Sequence, residues 1–162
     1  MRKFLRRKHT IYFVAGAAAV FLAASYVHSH CQIPCGIYGD DTRFEIMSEH
    51  IDTIEKSMKM IDELSAKKEK DMNQIVRWVT NKEDHAAQLS EIITYYFMAQ
   101  RIKPVSTAQN DAQKELYTKQ VTLLHEMLVT TMQTKQSTDL TLIPKLRGQL
   151  HDFSHLYNEK AE

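Results

Sequence analysis

Apolar side chains recur along this chain at intervals of three and four over four separate stretches, the spacing that lines one face of an α-helix. Between Asp41 and Lys67 they fall at Met47, Ile51, Ile54, Met58, Ile61 and either Met60 or Leu64, with Asp40 or Asp41 available as the N-terminal cap. The longest candidate helix runs from Asp71 to Lys103, with Met72, Ile75, Val76, Val79, Ala86, Leu89, Ile93, Tyr96 and Phe97 on or near one face. It must stop there, because the residue before Pro104 disfavours the helical region. A polar linker, Ser106 to Asn110, leads to a third helix, Asp111 to Gln133, whose Tyr117, Val121, Leu124, Leu128 and Thr131 repeat in the same rhythm. Ser137-Thr138-Asp139 opens a fourth, carrying Ile143, Leu146, Leu150, Phe153 and Tyr157, with Pro144 in its first turn and a start at Leu142 or Ile143. Four amphipathic helices on short links pack most economically as an all-α, antiparallel four-helix bundle over residues 40–162.

The polar positions complete this picture. Lys82, Glu83 and Asp84 are expected on a solvated surface. Gly148 weakens the fourth helix by about 1 kcal/mol relative to alanine, and close packing against a neighbour is the expected reason for it. His151 and His155 are one helical turn apart and able to chelate a metal; with no third ligand evident they are read as an exposed pair.

The first 29 residues break the pattern. Arg2 to Lys8 is basic, Thr10 to Ala24 is an unbroken apolar run, and Ser25 to Ser29 is a short polar tail, the layout of a secretory signal peptide. The run is short for a spanning helix, which needs about 20 residues, so an uncleaved membrane anchor is the secondary reading. Val27 and Ser29 supply the small residues that signal peptidase requires, placing the cut between Ser29 and His30 and the mature chain outside the cytoplasm, periplasmic or extracellular. This segment carries five basic and no acidic residues, leaving 16 basic against 20 acidic in residues 30–162, a net of −4. A mildly acidic body with no basic stripe is a poor nucleic-acid binder.

The cut would expose the stretch His30-Cys31-Gln32-Ile33-Pro34-Cys35-Gly36-Ile37-Tyr38, which holds both cysteines of the chain. In an exported protein a bare pair of cysteines commonly forms a disulfide, and a helical protein with a Cys31–Cys35 bridge is one reading. A chain that begins at His30, however, offers an amine, an imidazole, the Cys31 amide and two thiolates. Amine, amide and thiolates can lie in one plane, the arrangement that suits Ni(II) or Cu(II), whereas zinc prefers a tetrahedron. Thiolates reduce Cu(II), so nickel fits this donor set better.

HCQIPCGIY resembles the HCxxPCGxY hook of the nickel-containing superoxide dismutases, and Arg43-Phe44-Glu45 and Val76 to Ala86 (VRWVTNKEDHA) also look like that family. The resemblance covers roughly residues 30–104. It implies a hook over residues 30–39 binding one nickel ion per subunit through His30, Cys31 and Cys35, with superoxide as substrate. It further implies that Tyr38 lines the substrate approach, that Glu45 orients the His30 imidazole, and that Arg77 or His85 stands behind that pair. A second tyrosine corresponds to Tyr96, with Tyr95 the alternative, and the subunits are expected to assemble as a homohexamer. A nickel-binding protein without turnover is a further alternative to the enzyme.

Overall fold

The computed structural model describes residues 39–106 and 110–158. The proposed leader and the hook residues His30, Cys31, Cys35 and Tyr38 lie outside these. The described residues form four helices and no strand: α1 (Asp40–Ala66), α2 (Met72–Glu91), α3 (Asp111–Gln136) and α4 (Leu142–Asn158). Helix α2 continues without a break into π-helical turns over Ile92–Arg101, closed by the Ile102 N–H donating five residues back to the Phe97 carbonyl at 2.9 Å. None of the helices among the described residues is long and apolar enough to cross a membrane.

Cross-helix hydrogen bonds give the directions. Asp40 meets Tyr96, His50 meets His85 and Ser57 meets Asn81, so α2 runs opposite to α1. Asp40 also meets Tyr157 and Asp52 meets Arg147, so α4 too is antiparallel to α1. Helices α1 and α2, α2 and α3, α3 and α4, and α1 and α4 are neighbours, which closes the ring. At its centre Met47, Ile51, Ile54, Met58, Leu89, Ile93, Phe97, Leu124, Met127, Leu146 and Phe153 are fully buried. Leu64, not Met60, ends the α1 stripe in the core.

The helix starts follow their polar residues. The Asp71 carboxylate accepts from the Gln74 N–H at 3.1 Å to cap α2, and Asn110 with Gln113 forms a reciprocal capping box on α3. Asp139 accepts from both the N–H and the hydroxyl of Thr141 just before α4. At α1 the expectation fails. Gly39 occupies the cap position with no side-chain bond, and Asp40 lies inside the first turn with its carboxylate drawn to other helices.

Three further expectations are corrected. Lys82 is not solvated: it is 4% exposed and its ammonium donates to the carbonyls of Thr134, Lys135 and Ser137 at 2.7, 2.7 and 3.0 Å. Met72, Val76 and Val79 are exposed, because Lys82 already meets the last turn of α3 and the preceding turns of α2 project past it. A Cβ at Gly148 would meet nothing within 4 Å, so no close packing demands glycine there.

Candidate functional site

The described chain starts at Gly39, where the first turn of α1 meets the π-helical end of α2 and the last turn of α4. Beneath that point lies an aromatic floor. Phe97 and Phe153 pack edge to face with centroids 4.9 Å apart, and Phe44 and Tyr157 close around them. Aromatic pairs in this arrangement contribute about 0.5–1.5 kcal/mol beyond their burial, which makes the floor rigid.

On this floor three polar side chains converge on Asp40. Tyr96 donates to Oδ1 and Tyr157 donates to Oδ2 at 2.7 Å. Arg101 Nη2 donates to the Tyr96 hydroxyl at 2.7 Å, while its Nε lies 2.9 Å from Asp40 Oδ1 as an ion pair. Arg43 and Arg101 both set their guanidinium groups within 5 Å of the Tyr96 ring centroid, at 4.9 and 4.8 Å. The positions also suit the helix dipoles, which favour a carboxylate in a first turn and a cation in a last one.

The network shifts its acid and its phenols in opposite directions. Burial works to raise the Asp40 carboxyl, but the two tyrosine hydrogen bonds and the Arg101 charge outweigh it and hold the group below its ordinary value. Tyr96 is pushed up, first by burial and then by its bond to Asp40, and Tyr157 is raised strongly for the same reasons. Both phenols are therefore held protonated, as donors.

Beside the network a cleft of about 290 Å³ opens between α1 and the end of α2, lined by Arg43, Ile46, His50, Gln88, Glu91, Ile92, Tyr95 and Tyr96. His50 Nδ1 lies 2.9 Å from His85 Nδ1 across the helix pair. Burial, and after it the neighbouring His85, hold His50 below its ordinary value, with Glu49 acting the other way.

The residues singled out from sequence are distributed unevenly around this site. Tyr96 is at its centre, and Tyr95, 55% exposed, lines the cleft without joining the Asp40 network. His85 reaches the cleft wall through His50. Glu45 is exposed and, two residues from Arg43 on a helix, points about 200° away from it and so off the cleft face. Arg77 is exposed in a separate recess with Gln74, Trp78 and Asn81, and the 19 residues to Tyr96 place it about 28 Å away along the helix. The structure does not bring Arg77 together with Glu45, Tyr96 or His85.

Asp40, Arg43, His50, Arg101 and Tyr157 were not among the site residues expected from sequence, where Asp40 was a candidate cap, Arg43 part of a stretch of family likeness and Tyr157 part of the apolar stripe of the fourth helix. Asp40 and Tyr157 are 117 residues apart, a pairing no local pattern shows. Arg101 did carry a signal, since it stands five residues after Tyr96, a spacing that converges only in a π-turn, and such turns occur frequently at functional sites.

Compared with known protein families, residues 25–161 match the model described as nickel-containing superoxide dismutase. The chain belongs to the nickel-containing superoxide dismutase family. The match starts ahead of the hook and continues past Pro104, through α3 and α4. Comparison with individual curated proteins and with solved structures returned no match. The chain is accordingly a superoxide dismutase enzyme with nickel as its cofactor. Among the described residues no group of three His, Cys, Asp or Glu side chains is placed to hold a metal. Both cysteines of the dismutase, Cys31 and Cys35, fall in the sequence stretch His30 to Tyr38, and with His30 they are sulfur and nitrogen side chains of the kinds that fit nickel.

Proposed function

We propose that this dismutase holds its nickel in an N-terminal hook, His30 to Tyr38, released when signal peptidase cuts an exported precursor between Ser29 and His30. The ligands are the His30 amine and imidazole, the Cys31 amide and thiolate, and the Cys35 thiolate. When bound, nickel supplies a one-electron couple between Ni(II) and Ni(III), through which two superoxide ions and two protons become one oxygen and one hydrogen peroxide. The mature enzyme works outside the cytoplasm, and the family resemblance supports a homohexamer.

The remaining work belongs to the chain's own side chains. Tyr38 narrows the approach so that a small anion enters and larger ones do not. Asp40, two residues further on, anchors the root of the hook through Tyr96, Tyr157 and Arg101. Because Tyr96 is held protonated, with its one O–H donated to Asp40, the wall of the cleft carries a neutral phenol in place of a phenolate that would repel superoxide. Arg43 adds positive charge on the same wall. The family match across the whole hook and bundle, taken with the confinement of both thiols to that hook, carries this reading.

Cys31→Ser and Cys35→Ser test it. Each is expected to abolish nickel binding and superoxide decay while the far-ultraviolet circular dichroism of the helices is retained. Full turnover in either variant would remove the sulfurs from the ligand set, and collapse of the helical signal would favour a structural disulfide.

A further inference from the structure

On the outer face of α4, His151 and His155 turn their rings toward each other, with Nε2 atoms 3.1 Å apart and ring centroids separated by 4.4 Å. Metal–imidazole bonds are about 2.0–2.1 Å long, so two nitrogens on one ion stand about 2.9 Å apart at a right angle and about 3.3 Å apart at a tetrahedral angle. The observed separation lies between these, so one ion can sit between the two nitrogens without moving either ring far. His151 Nδ1 lies 3.2 Å from Asp152 Oδ1. Donation from that nitrogen to the carboxylate puts the ring's free lone pair on Nε2, the orientation that carboxylate neighbours commonly impose on metal-binding histidines.

We propose that His151 and His155 form a second metal site, separate from the hook, that takes a borderline divalent transition ion such as Zn(II) and leaves its other positions to water. The His151 side chain is 69% exposed, so an ion arrives without stripping a buried pocket of solvent and exchanges freely. Two imidazoles at i and i+4 on one helix face are the spacing used by helical zinc motifs, and here the helix already holds them together, which lowers the ordering cost of binding. A bound ion also ties the last two turns of α4, from which Tyr157 reaches Asp40.

The test uses the mature, nickel-loaded protein titrated with Zn(II), following bound zinc, retained nickel, thermal midpoint and superoxide decay. One saturable zinc per chain beyond the nickel is expected, with a midpoint that rises with free zinc as linkage requires. His151→Ala and His155→Ala should each weaken zinc binding at least tenfold and remove the rise in midpoint, while nickel content and superoxide decay in the absence of zinc stay at the parent values. Adding Leu156→His to His155→Ala keeps two imidazoles on the helix but at the wrong spacing, and binding should not return. The proposal is overturned if no zinc binds beyond the nickel, if zinc merely replaces nickel one for one, or if either histidine variant binds zinc as the parent does.

Discussion

At each end of the bundle one charged side chain is gathered in by three partners, and the partners differ in kind. Near the hook, Asp40 is held by the side chains of Tyr96, Tyr157 and Arg101. At the far end, Lys82 is held by three main-chain carbonyls at the close of α3. Carbonyls do not titrate, and the last ones of a helix lack intrahelical donors, so Lys82 is a cap supplied in trans by a neighbouring helix. Phenols and a guanidinium differ from carbonyls in carrying protons and charge that respond to what lies beside them. The Lys82 arrangement fixes the fold, whereas the Asp40 arrangement, at the start of α1 beside an open cleft, is the one proposed to serve chemistry.

Substitution at the two ends should separate those roles. The largest effect on stability is expected from Lys82→Met, which leaves three carbonyls without their donor and costs about 3 kcal/mol, or about 10 °C in thermal midpoint. Superoxide decay per nickel-loaded, folded chain should stay at the parent rate. An equal loss of activity would show that the two ends are not independent.

Asp40→Asn should do the reverse. With the Asp40 side chain a third exposed, the stability lost is about 1–2 kcal/mol, because the amide oxygen still accepts one tyrosine bond while the second tyrosine bond and the attraction to Arg101 are lost. Superoxide decay is nevertheless expected to fall about tenfold at unchanged nickel content, equivalent to about 1.4 kcal/mol on the barrier, as the root of the hook loosens. Unaltered kinetics with lower stability would make Asp40 a second structural cap.

The smallest effect is a pH dependence. His50 is held below its ordinary value of 6.5, so as pH falls through 6.5 the unfolded chain takes up a proton that the folded chain resists, and stability is lost in that window. Asp40 is likewise held below its ordinary 3.8, so its stabilisation is present above that value and is lost only at more acid pH. Urea midpoints measured from pH 8 to pH 5 should therefore decline in the parent and flatten in His50→Gln, whereas Asp40→Asn should leave this slope alone.

How far these features could be read from the sequence follows from the range of the interactions behind them. Helix α4 starts at Leu142 and α3 outlasts its expected end by three residues, because caps and apolar periodicity are local. Lys82 was unreadable. Within Lys82-Glu83-Asp84 it has the composition of a surface, and only the arrival of the α3 terminus buries it. The same event leaves Met72, Val76 and Val79 uncovered, although their spacing continues the apolar stripe. Tyr96 was reached through family likeness, yet the partners that define its state come from α4 and from a π-turn that an α-helical period does not anticipate. The hook is the opposite case. Its proposed donors lie within six consecutive residues, His30 to Cys35, so the proposal needs no fold to be made.

That locality sets the decisive measurement. The proposed ligand set depends on His30 being the first residue, so the protein beginning at His30 is compared with the same chain carrying one extra methionine before it. Nickel per chain and superoxide decay are read together. The chain beginning at His30 should hold one nickel and dismutate superoxide, and the extended chain, its amine displaced, should lose turnover by orders of magnitude. Equal nickel and equal rates in the two would contradict the hook.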